Sequence, residues 1–192
     1  MNSRMTRMLV ALRDARPEDA VFLAGLWHDL LRRADAQEQV TDIDTLIRDA
    51  AESGQERIVV AEYDGEPAGA VLMRISTVTP LNLTPVVQLV APYVVGGFRR
   101  KGVGHALMDA ATTWAEENGI AHVTGGAPSG SRDANRYLAR LGLAATVTFR
   151  LGSTQALRDK LTEQLPVSQR VPGYRPQRVL AARRARRAQS AG

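Results

Sequence analysis

The chain of 192 residues carries 25 Lys plus Arg against 20 Asp plus Glu, a formal net charge of +5, with 44% hydrophobic and 23% charged residues. That length suits one domain with an appendage, and that balance excludes a disordered chain, a collagen and a coiled coil. The sequence holds no cysteine and three histidines, which excludes disulfides, thiolate metal sites, iron–sulfur clusters and a cysteine acyl-enzyme, so no metal is expected.

Met1 to Arg7 is basic, but the apolar run Met8 to Leu12 is too short for a signal sequence and meets charge at Arg13 and Asp14, so a cytoplasmic location is expected. Leu9 to Arg13 alternates as a first strand. Pro17, Glu18 and Asp19 then open a helix, because proline suits the first helical position and acids favour the first turn. Ala20, Leu23, Ala24, Trp27, Leu30 and Leu31 recur at helical spacing as its buried stripe. Ala34 to Val40 reads as a polar loop, and Thr41 to Ala51 as a second helix ended by Gly54. Arg57 to Tyr63 and Pro67 to Ser76 read as strands joined through Asp64-Gly65, a strong hairpin signal.

The uncharged stretch Ile75 to Gly97 contains Pro80, Asn82, Pro85, Gln88 and Pro92, so it reads as loop and strand and no membrane span is expected. Val86 to Val95 is a strand in which Pro92 demands a bulge or an unpaired position. Val103 to Asn118 is a helix, Ala121 to Thr124 a short strand, Ser131 to Leu141 a helix and Ala144 to Leu151 a strand, giving a mixed α/β chain. Thr154 to Leu165 reads as a further helix, Pro166 to Pro176 as a linker and Gln177 to Arg187 as an alanine-arginine helix. All 20 acids and 18 of the 25 basic residues precede Arg170; the remaining seven are Arg170, Arg175, Arg178, Arg183, Arg184, Arg186 and Arg187. A body of about neutral sign thus carries a basic tail.

The chemically informative segment is Arg99-Arg100-Lys101-Gly102-Val103-Gly104, in which a strand ends, three cations follow and two glycines open a helix. The first N–H groups of a helix lack internal partners and the macrodipole favours an anion, so this is a phosphate site on physical grounds. Lys101 precedes Gly102, the wrong side for a Walker A loop, and Leu107 stands where a dinucleotide fingerprint needs its third glycine.

In this segment the sequence resembles the GCN5-related N-acetyltransferase (GNAT) family, whose coenzyme A loop reads R/Q-x-x-G-x-G/A. A second family pattern, N-x-x-A-x-x-x-Y-x-x-x-G-F, is matched in part by Ser131, Ala134, Leu138, Gly142 and Leu143. The order of elements agrees from Leu9 to about Leu151, which implies a domain over residues 8–151 and a C-terminal extension over 152–192. The resemblance implies a mostly antiparallel central sheet with flanking helices, splayed at the fourth strand, and acetyl-CoA as acyl donor. Arg99, Arg100, Lys101, Gly102, Val103 and Gly104 would hold the pyrophosphate. Val94 and Val95 would pair with the pantetheine arm and aim an N–H at the thioester oxygen, and Ser131 would meet the same arm.

Two departures stand out. Leu138 occupies the place of the tyrosine that protonates the leaving thiolate, and Tyr137, one residue away and so rotated by about 100°, is expected to fill a core position. The strand Val86 to Val95 also carries no carboxylate to act as base. Tyr93 and Glu62 are the catalytic residues expected, with His28 and Asp29 as further candidates; His105 is expected to be positional and His122 a core or edge histidine. The expected function is an acetyl-CoA-dependent N-acetyltransferase in which an acceptor amine, small molecule or peptide, attacks the thioester directly. The alternative is a non-catalytic or weakly active acyl-CoA-binding regulatory module whose basic tail binds nucleic acid or an acidic partner. A second copy of the chain is a further expected partner, and nucleic acid through Arg170 to Arg187 the weaker expectation.

Overall fold

The structure is a computed structural model that describes residues 9–127, 130–145 and 151–164. The chain divides into two compact units, Met1–Ala145 and Thr146–Gly192. In the first, β1 (Val10–Asp14), β2 (Glu56–Tyr63), β3 (Glu66–Thr77), β4 (Pro85–Val94) and β5 (Val123–Gly125) form one sheet in that order. Neighbours are antiparallel except β4 and β5, which run parallel. The helices are α1 (Ala20–Leu26), α2 (Ala36–Ser53), α3 (Val103–Glu117) and α4 (Arg132–Arg140), with α5 (Thr154–Glu163) in the second unit.

Both faces of the sheet are covered, which explains why β2 and β3 read as continuous apolar runs. On one face Val59, Ala61, Val71, Met73, Val87 and Leu89 pack against Val103, Leu107, Ala111 and Trp114 of α3 and Leu138 of α4. On the other, Ile58, Val60, Ala70 and Leu72 pack against Leu23 and Ala24 of α1, Trp27, and Ile43 and Ile47 of α2.

Element limits differ from the sequence expectation at three places. Helix α2 begins at Ala36 because the Asp35 carboxylate accepts the Glu38 N–H at 2.8 Å, so the polar stretch expected to be a loop forms the first turn and more of a helix. Helix α1 stops at Leu26, and Trp27 to Leu31 continue as turns tied by the Leu30 and Leu31 N–H groups to the Trp27 carbonyl. The strand expected over Ala144 to Leu151 falls mostly on residues 146–150, outside the described residues, and Ala144, Ala145 and Leu151 are not in strand. The arginine tail lies outside them as well.

The first strand is locked to its surroundings by charge. Arg13 donates to both carboxylate oxygens of Asp19 at 2.6 and 2.8 Å and through Nε to Glu62 at 2.5 Å, while the Arg16 N–H donates to Asp19 at 2.8 Å. Asp19 is buried in the 3-10 turn Pro17–Asp19. The Arg13 hydrogen bond, reinforced by the Arg16 N–H, holds the Asp19 carboxyl below its ordinary range against the opposing cost of burial. A carboxyl lowered in this way contributes stability above its unfolded pKa and loses it as pH falls through the folded value. Asp19→Asn is therefore expected to cost about 2 kcal/mol at neutral pH, with the gap to the wild-type chain closing in acid once Asp19 itself is protonated. Urea unfolding at pH 7 and at pH 3 measures this; an equal gap at both would remove the ion pair as its cause.

Candidate functional site

The site is made by an irregularity in β4. Leu72 pairs with Val90 but Ala70 pairs with Tyr93, so two residues of β4, Ala91 and Pro92, oppose one of β3, and Ala91 takes a left-handed φ of 52°. This is the bulge that Pro92 predicts. An extra residue shifts the period-two alternation by one. Val87 donates its N–H to the His122 carbonyl on the β5 side, whereas beyond the bulge Val95 donates to the Ala68 carbonyl on the β3 side. The Val94 N–H therefore faces away from β3, and it does so where β5 no longer follows, because β4–β5 pairing covers only Val87, Gln88 and Leu89. Of the two valines expected to meet the cofactor arm, Val94 has its N–H turned to the gap. Val95 has spent its N–H inside the sheet.

Helix α3 starts beside this gap. After a 3-10 turn at Gly96–Phe98, Arg100 and Gly102 take left-handed φ values of 62° and 88°, and Gly102 is the N-cap without any side-chain cap. A glycine adopts that φ freely, whereas other side chains strain there. The first intrahelical bond runs from the Ala106 N–H to the Gly102 carbonyl at 3.0 Å, so the N–H groups of Val103, Gly104 and His105 have no partner within the helix. No acidic residue occupies the first turn. Arg99, Arg100 and Lys101 are exposed. The Lys101 Nζ also lies 4.8 Å from the centroid of the Tyr63 ring and 5.1 Å from that of Phe98. It ties the loop to β2 by cation–π attraction. These donors, cations and the small residue at the helix start fit the pyrophosphate of a coenzyme A.

The third component comes from α4. Leu138 is buried in the core beneath α3, as an alkyl group in that register should be. Tyr137, as expected, packs against the same core cluster, and its ring carries the hydroxyl toward the start of α3. A Cβ placed on Gly104 would lie 3.7 Å from Val94 Cγ2 and 3.9 Å from the Tyr137 hydroxyl oxygen, so the end of β4, the start of α3 and this phenol converge on one point. The hydroxyl is buried and has no hydrogen-bond partner, the one such side-chain atom among the described residues. Burial raises its pKa, with Arg140 opposing, so the phenol stays protonated. Sequence reasoning placed Tyr137 in the core; the approach of its hydroxyl to Gly104 at the facing helix start is what only the fold shows.

The other expected residues separate. Tyr93 follows the bulge, is 43% exposed, and pairs with Ala70, whose side lies toward α1 and α2. The Glu62 carboxylate is held by Arg13. His28 is exposed, with Nδ1 3.2 Å from the Gly25 carbonyl and Nε2 2.9 Å from Asp29. His105 and His122 are exposed. Ser131 caps α4, its carbonyl accepting from the Asn135 N–H at 3.0 Å, with no cap bond from its hydroxyl. Among the described residues no group of three or more His, Asp or Glu could hold a metal ion, and no helix is long and apolar enough to cross a membrane.

Comparison with known proteins agrees with this geometry. Among solved structures, a transcriptional regulator from Bacillus halodurans C-125 superposes with a TM-score of 0.64 at 18% identity, covering 75% of this chain and 99% of that one. The aminoglycoside N-acetyltransferase AAC(6')-Iy in complex with CoA gives 0.62 at 18% identity, with 76% and 95% covered. A ribosomal-protein-alanine N-acetyltransferase from Brucella melitensis biovar Abortus 2308 gives 0.59 at 22% identity, with 75% and 98% covered. No curated protein sequence matches the chain. The Acetyltransferase (GNAT) family matches residues 23–143, more than half of the sequence, and the chain belongs to that family of acetyl-CoA-dependent N-acetyltransferases.

Proposed function

We propose that the chain moves an acetyl group from acetyl-CoA to an amine acceptor by direct attack, with the Val94 N–H, the start of α3 and the Tyr137 hydroxyl as its working groups. The observation that carries this reading is the meeting of the Val94 side chain and the unpartnered Tyr137 hydroxyl at Gly104. Bound acetyl-CoA supplies a thioester whose acetyl carbon is open to an amine and whose thiolate is the leaving group. The N–H groups of Val103, Gly104 and His105, with Arg99 and Arg100, hold the diphosphate. The Val94 N–H, fixed by the sheet on its other side, donates to the oxygen on which charge develops. Tyr137 keeps its proton until a sulfur anion is present, then gives it up. The proton of the incoming ammonium leaves on the opposite, solvated side, where the exposed Tyr93 hydroxyl can accept one proton and release another to water. Glu62, bound to Arg13, orders β1 against β2 in this scheme. Acceptors of the neighbouring enzymes, aminoglycoside and protein alanine, support an amine as nucleophile.

Incubation with acetyl-CoA and a broad amine panel should release free thiol. Silence across the panel with acetyl-CoA still bound would instead favour the non-catalytic binding module. Gly102→Asp places a carboxylate at the helix start and a side chain at a strained φ, and is expected to weaken acetyl-CoA binding by at least about tenfold in calorimetry. Unchanged affinity would move the diphosphate elsewhere.

Tyr137→Phe keeps the ring and removes the donor, so kcat should fall by about 100-fold with little change in acetyl-CoA affinity. Wild-type turnover should decline only in strongly alkaline solution, above the ordinary phenol range, since the acid must be protonated and its pKa is raised. That alkaline limb should vanish in the variant. A pH profile of kcat that keeps its shape in Tyr137→Phe would show that another group protonates the thiolate.

A further inference from the structure

We infer that Trp27 is a positioning residue for the reaction, acting through the bulge: its indole N–H holds the Ala91 carbonyl and so keeps β4 in the register that turns the Val94 N–H to the gap. This rests on the acetyl-transfer reading for its kinetic consequence, though not for its structural one.

Three observations support it. First, Trp27 Nε1 donates to the Ala91 carbonyl at 2.9 Å, a bond spanning 64 positions in the chain from the end of α1 to the middle of β4. Second, Ala91 is the residue that breaks the ladder. It sits at φ 52°, a conformation disfavoured for alanine, and the next residue, Pro92, has no N–H with which to rejoin β3. A bulge leaves a carbonyl without its cross-strand donor, and here a side chain from another element supplies one. Third, the indole is 4% exposed among Leu23, Ile43, Leu72 and their neighbours. A buried indole N–H needs an acceptor, and its rigid ring fixes where that acceptor must lie.

The consequence follows from the alternation. Were the extra residue lost from the pairing, every position beyond it would change sides: Tyr93 would swing toward α3, and the Val94 N–H would turn to β3. The bond from Trp27 biases this choice from the face of α1 and α2, opposite the face on which α3 lies. Helix α1 and the reactive end of β4 are therefore mechanically joined, and displacement of α1 would be felt at the Val94 N–H while leaving the phosphate-binding start of α3 unaffected.

The test compares Trp27→Phe, Ala91→Gly and the double variant. Trp27→Phe should lower kcat by about tenfold, the worth of roughly one hydrogen bond, with acetyl-CoA affinity unchanged. Amide exchange at Tyr93 and Val94, followed in the acetyl-CoA-bound protein without any acceptor, should accelerate. Adding Ala91→Gly should restore both, since glycine adopts the left-handed φ without help. A purely packing role for Trp27 predicts that glycine at position 91 rescues neither, and that result would overturn the inference. If Trp27→Phe does not fold, replacing Trp27 by its benzothienyl isostere removes the N–H and keeps the shape; unchanged exchange at Val94 in that protein would equally overturn it. The exchange arm needs no turnover, so a chain inactive on every amine would defeat the acetyl-transfer reading while still deciding whether Trp27 sets the bulge.

Discussion

The structure turns on the requirement that β4 stay paired with β3 on both sides of its bulge while, among the described residues, its other edge is open past Leu89. An unpaired strand edge inside a sheet is costly in ordinary folds, because its N–H and C=O groups lose both sheet and, in part, water. Here the cost is confined to the few residues past Leu89, where β5 stops following. The bulge at Ala91 and Pro92 makes the opening useful by choosing which groups face it. Everything else in the site is positioned relative to that choice, since α3 begins only after the chain has left β4 through Gly96–Phe98.

Close packing against β3 fixes the helix start as well. Gly69 of β3 has no side chain where a Cβ would stand 2.5 Å from the Tyr93 carbonyl oxygen and 3.2 Å from Val103 Cγ1. Only glycine permits β3 to lie against both the post-bulge strand and the first residue of α3, so β3, β4 and α3 meet at one point. Val103, Leu107 and Ala111 then bury the helix against the sheet. A helix anchored along its length in this way presents its free N–H groups in a fixed direction, which is what an anion site and an oxyanion donor both need.

Much of this was legible in the sequence, and what was not has identifiable causes. Pro92 forecast the bulge because a missing N–H cannot be hidden in a ladder, and Gly102 and Gly104 forecast the uncapped helix because no other residue suits that start. The Ala34 to Val40 stretch misled because its polar residues lie on the exposed face of α2, so hydrophobic periodicity has nothing to mark until Ile43. The place of Lys101 over the rings of Tyr63 and Phe98, whose centroids lie 5.7 Å apart, could not be read from three adjacent cations in the sequence, because only the fold brings those rings together. The rotation of about 100° from Leu138 puts Tyr137 in a neighbouring packed position, as expected; that its hydroxyl reaches Gly104, more than thirty positions away in the sequence, is set only by the fold.

The contrast between α2 and α3 argues that the latter's start is reserved for a ligand. Helix α2 satisfies its own terminus: the Asp35 carboxylate accepts the Glu38 N–H, and Glu38 adds a negative charge to the first turn. Side-chain caps of this kind are worth about 1 kcal/mol and are easily supplied by sequence. Helix α3 has neither feature, carrying a glycine cap and no acid in its first turn, and it follows three consecutive cations. An Asp or Ser at position 102 would satisfy one of the free N–H groups internally, yet it would also occupy the space and the positive field that a diphosphate requires. All three cations are exposed, and Lys101 also lies over the Tyr63 and Phe98 rings, which ties the loop to β2. A loop held at one point by an aromatic clamp loses less freedom when an anion arrives, so part of the ordering that binding would otherwise demand is already in place.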